Sequence, residues 1–272
     1  MYAKTPKPNF AKAKLILIIC CLTFPLMLLA QDEEENKAVT IYQYRQVDPE
    51  NVEEFIKRET TYWSEVAKKG MEKGNLQFWA LLQKVGGFDM PNSPNFLFIN
   101  TFKNIDEMAG TWDPAAVFPD VDMEEMETNS ISTTMHNIFV QSRNWVEKEG
   151  VNPDESFNYV QITYHSSSAP AQYISLEKEH WEPMVKKAMD EGKTPQVAWG
   201  NSIVLSPTGG KIKYNTLSFD MYSSLSDALT GGFEEGVEIP EELFEKLGEI
   251  QINPRLSYIY RVVKVESAQA DE

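Results

Sequence analysis

The amino-acid sequence predicts an α+β fold in which two tandem β-α-β-β-α-β repeats pack sheet to sheet into a barrel. The first observation behind this prediction is that the chain repeats itself: residues 55–75 and 173–193 are identical at 7 of 21 positions. The second is that strand-like and helix-like segments follow in the same order in both halves. Self-similarity at a fixed interval indicates a repeated structural unit, and two copies are too few for a solenoid. We therefore expect a duplicated domain.

The first strand and helix of each half are the clearest elements. The strands are predicted at Val39–Tyr44 and Tyr159–Tyr164, which are rich in β-branched and aromatic residues. Asp48 and Pro49 are typical of a helix start, as an N-cap and a proline at the first helical position. Apolar residues then recur at helical spacing on one face of each helix. These faces consist of Val52, Phe55, Ile56, Tyr62, Trp63 and Val66 in the first half and Tyr173, Ile174, His180, Trp181, Met184, Val185 and Ala188 in the second.

Each half then continues with two strands, an acidic stretch with short helices and a closing strand. The strands are predicted at Gln77–Val85, Phe96–Phe102 and Ile138–Val146 in the first half and at Gln196–Leu205, Ile212–Met221 and Ser257–Val265 in the second. The helices are predicted at Ile105–Gly110, Asp122–Thr128, Leu225–Leu229 and Glu241–Ile250. This order predicts helices on one face of an antiparallel sheet.

The start of the chain is typical of a secretory signal peptide. Four lysines precede the apolar run Leu15–Leu29, and Ala30-Gln31 is a plausible cleavage point. The run is short for a membrane span, which needs about 20 apolar residues. We therefore expect an exported protein, periplasmic or extracellular, without stable membrane insertion after cleavage; an uncleaved anchor is the alternative. The predicted segments are a signal peptide at 1–30, an acidic spacer at 31–38, the first repeat at 39–148, a linker at 149–156, the second repeat at 157–266 and a tail at 267–272.

Composition excludes several classes of site and partner. Cys20 and Cys21 both lie in the predicted signal peptide, so the mature chain would have no disulfide, thiolate nucleophile or cysteine-ligated metal. Removing the four lysines of that segment takes the formal net charge from -16 to -20. Such acidity argues against nucleic acid and anionic membrane surfaces as partners. The sequence does not define an oligomeric state.

The element order and the duplication resemble the dimeric α/β-barrel superfamily, which includes antibiotic-biosynthesis-type monooxygenases and several haem-handling enzymes. In this chain the dimer would be fused into one polypeptide of two ferredoxin-like repeats. The resemblance covers almost the whole mature chain. It implies the architecture and a ligand pocket between helices and sheet, which Trp and Asn residues often line in that superfamily. A reaction does not follow from fold alone.

Two glutamates occupy an unusual place in their helices. Glu59 lies three and four positions from apolar residues on either side, in the middle of the apolar face, and Glu177 has the same place in the second half. A carboxyl group packed against aromatic rings has a raised pKa, which suits a general acid, a general base or a ligand anchor. The alternative is that each Glu ties its helix to the sheet, with Arg143 and Arg261 as candidate partners.

Aromatic and amide side chains complete the candidate ligand contacts. Asn100 and Asn215 are predicted to be a matched pair on the third strands. The tryptophans fall in the helical faces and on the second strands, where core packing is the alternative to ligand binding. A buried Asn must also be hydrogen-bonded, so a bond within the sheet is the alternative for the amides. The candidate ligand-binding residues are Glu59, Trp63, Trp79, Asn100, Glu177, His180, Trp181, Trp199 and Asn215.

The histidines do not predict a metal site or a cofactor. Glu177 and His180 face the same way on their helix, but Tyr62 takes the place of His180 in the first half, so a carboxylate-bridged metal pair is not predicted. His165, just after a strand, is expected in a loop or at the surface. Haem needs an axial ligand, which His136 or His180 could supply in one half only. We therefore expect no metal and no cofactor, and the sequence argues against haem.

Three functions remain open at this point. The first is an exported module that binds a small apolar molecule between helices and sheet, more favoured in the second half because His180 breaks the symmetry. The second, by analogy of fold, is a cofactor-independent monooxygenase-like enzyme. The third is a structural or interaction protein without a site. No phosphate-binding glycine loop and no nucleophile elbow are present in the sequence.

Overall fold

The computed structural model describes residues 38–86, 93–151, 156–209 and 213–268. The predicted signal peptide, nearly all of the acidic spacer, half of the linker and most of the tail lie outside the described residues. Within those ranges, no helix is long and apolar enough to cross a membrane.

Eight antiparallel strands form a closed barrel in the order β1-β3-β2-β8-β5-β7-β6-β4. The first half contributes four neighbouring strands, β4-β1-β3-β2, and the second half contributes β8-β5-β7-β6. The two sets join where β2 pairs with β8 and where β4 pairs with β6. The strands are β1 (Val39–Val47), β2 (Leu76–Lys84), β3 (Phe96–Phe102), β4 (Ser132–Glu147), β5 (Tyr159–Ser167), β6 (Gln196–Ser206), β7 (Thr216–Tyr222) and β8 (Gln251–Ser267).

The predicted α+β class is confirmed, but the way in which the halves meet differs from the prediction. The two four-stranded sets join edge to edge through backbone hydrogen bonds, whereas the sequence predicted two sheets packed on each other. Closure of the barrel leaves no unpaired sheet edge, which removes the tendency of open edges to associate.

The closing strands β4 and β8 are much longer than predicted, at 16 and 17 residues. Each pairs with a strand of its own half and with a strand of the other half, and this double pairing requires the extra length. The beginning of β4, Ser132–Asn137, is polar and shows no apolar alternation, so the sequence pattern did not reveal it. In β8, Pro254 has no N–H to donate, and it sits where the pairing with β5 shifts register.

The main helix of each half follows the first strand and contains a π-helical turn. In the first half α1 (Val52–Arg58) passes through the π turn Glu59–Trp63 into α2 (Ser64–Glu72). In the second half α5 (Pro170–Leu176) passes through the π turn Glu177–Trp181 into α6 (Glu182–Asp190). The other helices are α3 (Pro114–Val117), α4 (Met123–Met126), α7 (Leu225–Thr230) and α8 (Glu241–Ile250), with 3-10 turns at Pro49–Asn51 and Ile105–Gly110.

Apolar side chains fill two separate layers. One layer lies inside the barrel and includes Tyr42, Tyr44, Ile162 and Tyr164. The other lies between the helices and the outer face of the sheet, and in the first half it includes Phe55, which is fully buried. Both faces of the strands are therefore covered, which explains why most residues of β1 and β5 are buried, several polar ones included. Each fully buried large side chain contributes roughly 1.5–3 kcal/mol to the free energy of unfolding.

Candidate functional site

A cavity of about 220 Å³ lies between helices and sheet in each half. In both halves the first residue of the π-helical turn, Glu59 or Glu177, lines the cavity. The apolar face of the helix packs on the sheet, and it carries the glutamate inward with it. π-helical turns are rare and occur frequently at functional sites. These two turns therefore mark the cavities as candidate sites.

Glu177 is anchored in the second cavity by a chain of amide groups. The Asn201 side chain donates a hydrogen bond of 2.8 Å from Nδ2 to Oε2 of Glu177. The Oδ1 atom of Asn201 in turn accepts from Nδ2 of Asn144, at 3.0 Å, and from its backbone N–H, at 3.1 Å. Since Asn144 and Asn201 lie on the paired strands β4 and β6, the sheet fixes the position of the carboxyl group. The predicted partners Arg143 and Arg261 are wrong.

Two carboxyl groups in this cavity have raised pKa values. Burial raises the pKa of Glu177 to about 8, with a smaller contribution from the charge of Asp220, and the hydrogen bond from Asn201 only partly offsets it. Burial also raises the pKa of Asp220 to about 7, against a hydrogen bond of 2.5 Å from Nε2 of Gln196. Both groups therefore change charge close to neutral pH, where a general acid or base is most effective.

A hydrogen-bonded row of side chains forms another wall of the same cavity. The Nδ1 atom of His165 lies 2.9 Å from the hydroxyl of Tyr173, and its Nε2 lies 2.9 Å from the hydroxyl of Ser218. Burial lowers the pKa of His165 to about 3, so the imidazole is neutral at physiological pH. The prediction that His165 lies in a loop or at the surface is wrong, because the side chain is buried on β5.

The cavity of the first half is built differently. Glu59 accepts a hydrogen bond of 2.6 Å from the hydroxyl of Thr128, and the pKa of Glu59 is raised to about 7 by burial. The nearby charge of Arg45 counteracts part of this shift. Trp63 donates from Nε1 to the backbone oxygen of Met126, at 2.9 Å. This cavity thus has a single carboxyl group near a buried arginine, while the second cavity has two carboxyl groups and an exposed arginine, Arg255.

The structure divides the predicted site residues between the two cavities and leaves two outside. Glu59, Trp63, Trp79 and Asn100 line the first cavity; Glu177, Trp181 and Trp199 line the second. His180 and Asn215 line neither. The Asn215 side chain instead donates to the backbone oxygen of Ser167, at 2.7 Å, and accepts from its N–H, at 3.0 Å.

Strand register corrects the predicted pairing of Asn100 with Asn215. Asn100 lies opposite Trp79, and Asp220 lies opposite Trp199 in the second half. Trp199 lies 120 residues after Trp79, and Asp220 lies 120 residues after Asn100, so an alignment on the two tryptophans would have revealed Asp220 as a site residue. The sequence also did not reveal Ser218, which lines the second cavity, or Asn201, which anchors Glu177, because both are polar strand residues without a motif. Tyr173 was placed on the helix face but not among the site residues.

Comparisons with known proteins identify the fold. No protein-family model matches the chain. No curated protein matches it either. Among solved structures, an anthrone oxidase-like protein has a TM-score of 0.54 at 10% identity, covering 87% of this chain and 95% of its own. A proposed monooxygenase from Lactobacillus acidophilus NCFM has a TM-score of 0.53 at 12% identity, covering 85% and 96%. At such low identity the likeness shows the fold alone, which confirms the predicted α/β-barrel architecture.

The expectation of a protein without a cofactor needs correction. A haem-binding protein from Thermus thermophilus is also among the similar structures, with a TM-score of 0.45 at 11% identity, covering 83% of this chain and 90% of its own. We do not keep the expectation of no cofactor, and a likeness of this size assigns no ligand to the chain.

The histidines decide where haem iron could find an axial ligand. In the second helix–sheet cavity both ring nitrogens of His165 are already hydrogen-bonded, so the residues there do not fit a haem and no step is assigned to one. His136 lies on β4 beside a larger cavity at one end of the barrel, and Nε2 of His180 is buried without a hydrogen-bond partner among the described residues. These two histidines could ligate iron. Among the described residues, no group of three or more His, Cys, Asp or Glu could hold a metal ion.

Proposed function

We propose that the protein binds a small aromatic alcohol or phenol in the helix–sheet cavity of its second half, with the ligand hydroxyl donating to Glu177. The observation that carries this proposal is a buried carboxyl group, with a pKa of about 8, on a π-helical turn that faces a tryptophan-lined cavity. A buried carboxyl group destabilises the fold when it is ionised and unpaired. A hydrogen bond from a ligand hydroxyl would stabilise the ionised carboxyl group.

The lining of the cavity matches this class of ligand. Trp181 and Trp199 offer apolar ring surface. Glu177 and Asp220 are both acceptors when ionised, which favours a ligand that donates hydrogen bonds. The volume of about 220 Å³ lies below the roughly 300–1,000 Å³ of most drug-sized ligand sites, so the ligand is of one or two rings.

The second half is the stronger candidate because its carboxyl groups lack a buried arginine such as Arg45, which lies near Glu59 in the first cavity. In the first cavity the charge of Arg45 favours ionised Glu59, and Thr128 already donates to it. In the second cavity the arginine that acts on Glu177, Arg255, is exposed to solvent, whereas Arg45 of the first cavity is buried. A ligand hydroxyl would therefore stabilise ionised Glu177 more than ionised Glu59.

A second candidate function is the oxygenation of such a ligand without a cofactor. The specific observation is that an anthrone oxidase-like protein shares the fold, and that the cavity contains two carboxyl groups suited to accept a proton. In this reaction a carboxylate takes a proton from an activated CH₂ group, and the carbanion donates electrons to O₂ as a C–O bond forms. Loss of water then leaves a ketone, so that CH₂ and O₂ become C=O and H₂O. Oxygen uptake with 2-indanone, a two-ring ketone whose CH₂ groups are activated by the ring and the carbonyl, would support it if Glu177→Gln abolished the uptake.

We also propose that the two halves are repeats of one ferredoxin-like unit and that the protein is exported. The same four-strand order in each half supports the first point, together with a π-helical turn that begins at Glu59 and at Glu177. The domain boundaries predicted from the sequence, 39–148 and 157–266 for the two repeats, are part of the same proposal. The lysine-rich and apolar segment at residues 1–30 supports export to the periplasm or the extracellular space.

Native mass spectrometry of the protein purified from its own source, combined with an absorption spectrum, tests the binding proposal. A retained aromatic molecule that is lost on denaturation supports it, and a haem absorption band would instead identify haem as the ligand. A chain that carries nothing, and that also fails to bind aromatic alcohols at millimolar concentration, would favour the alternative of a structural or interaction protein.

A further inference from the structure

The interior of the barrel contains a second kind of cavity, away from the helix–sheet sites. It lies at the end of the barrel where β1, β2 and β5 finish, and its volume is about 370 Å³. Tyrosines and aliphatic residues form most of its wall. The lining comprises Tyr44, Lys84, Ser93, Pro94, His136, Ile138, Tyr164, Val204, Lys213, Tyr214, Leu256, Tyr258 and Tyr260.

The charge of this cavity is opposite to that of the protein. The chain has a formal net charge of -16, yet the described residues that line the cavity include two lysines and no carboxylate. Lys84 is only 6% exposed, while Lys213 lies at the mouth and is exposed. Within the described part of the chain, Lys84 forms no ion pair: its ammonium group donates to the hydroxyl of Ser93, at 2.7 Å, and lies 5.3 Å from the ring centre of Tyr258.

A buried ammonium group without a counter-ion is costly unless an anion neutralises it. Burial lowers the pKa of Lys84, and among the described residues no acidic group offsets that effect. Tyrosine hydroxyls add neutral donors nearby: those of Tyr44 and Tyr164 share a short hydrogen bond, and burial raises the pKa of both tyrosines, so they stay protonated. The cavity thus combines one buried cation, hydroxyl donors and aromatic walls.

We infer that this end of the barrel is a binding site for a small aromatic carboxylate, whose anionic group pairs with Lys84 and whose ring packs against the tyrosines. The site is independent of the proposed helix–sheet site, since Glu177 and its neighbours lie on the outer face of the sheet. The same chemistry excludes a cationic or purely apolar ligand as the preferred occupant.

Calorimetric titration of the mature chain with 3-phenylpropionate and with its neutral amide tests the inference. We expect the carboxylate to bind about tenfold more tightly than the amide. Lys84→Met should remove this preference, while Lys264→Met, which removes the same charge from the outside of the barrel, should leave it intact. Glu177→Gln should also leave it intact.

A second variant keeps the test valid if Lys84→Met fails to fold. Leu256→Trp retains Lys84 but fills part of the cavity, so we expect it to weaken binding of both ligands by about tenfold or more. The inference is overturned if the carboxylate binds no better than the amide, if Lys84→Met binds like the wild type, or if neither ligand binds at millimolar concentration.

Discussion

Replacement of Glu177 by Gln should change the pH dependence of stability by a calculable amount. The folded-state pKa of Glu177 is about 8, against an ordinary value of 4.5. Because the folded value is the higher one, the native state holds the proton more tightly than the unfolded state. The contribution of Glu177 is therefore fully present below the unfolded pKa of 4.5 and is lost as pH rises towards 8.

The magnitude follows from about 1.36 kcal/mol for each pKa unit. Between about pH 5 and about pH 8 the wild type should lose about 3 kcal/mol of unfolding free energy through Glu177 alone. Gln has a similar shape, cannot ionise and can still accept the hydrogen bond from Asn201. The free energy of unfolding of Glu177→Gln minus that of the wild type should accordingly be about 3 kcal/mol larger at about pH 8 than at about pH 5.

Urea unfolding of both proteins at the two pH values measures this difference. Glu245→Gln is the matched control, because Glu245 lies on α8, next to the same helix, and is exposed. The control should change the free energy of unfolding equally at both pH values. A pH-independent effect of Glu177→Gln would refute the reasoning, since it would mean that burial does not perturb this carboxyl group.

Three other predictions concern packing, an internal hydrogen bond and processing. Gly200→Ala should lower the free energy of unfolding by about 1–3 kcal/mol in urea, because the added Cβ would lie 2.6 Å from the Phe219 ring and 2.9 Å from the Asn144 backbone oxygen; a neutral effect would contradict this packing. Asn95→Ala should cost about 2–3 kcal/mol by the same measurement, since its side chain makes two hydrogen bonds of 2.7 and 2.9 Å to the Val47 backbone; a loss below about 0.5 kcal/mol would argue against them. Intact mass of the protein from its own source should correspond to a chain that starts at Gln31, and a chain that retains Met1 would contradict export by signal cleavage.

The order of strands and helices could be predicted from the sequence because each element has its own local pattern. The β3 and α8 boundaries agree with the prediction at both ends. A barrel was predicted from the duplication, but the pairing of β2 with β8 and of β4 with β6 that closes it was not, because these strands lie far apart in the chain. The polar start of β4 carries no periodic signal, and its strand structure comes from its pairing with β1.

The candidate site was only partly predictable for a similar reason. Glu177 stood out because a carboxylate interrupts an apolar helical face, and the tryptophans stood out by their type. Asn201 and Asp220 occupy ordinary strand positions, and only the strand register brings them to the cavity. Asn215 was mistaken for a site residue because its type matched that of Asn100, whereas its side chain binds the Ser167 backbone.

The most direct test of the proposed binding site is the affinity for 2-naphthalenemethanol, whose hydroxyl does not titrate near neutral pH, measured by calorimetry as pH is raised. We predict that the wild type binds it about tenfold more tightly at about pH 9 than at about pH 6, because an ionised Glu177 accepts a stronger hydrogen bond. Glu177→Gln should abolish this dependence and Glu59→Gln should preserve it, while 2-methylnaphthalene, which lacks the hydroxyl, should show none. Loss of the dependence in Glu59→Gln but not in Glu177→Gln, or an affinity that is independent of pH in the wild type, would contradict the account.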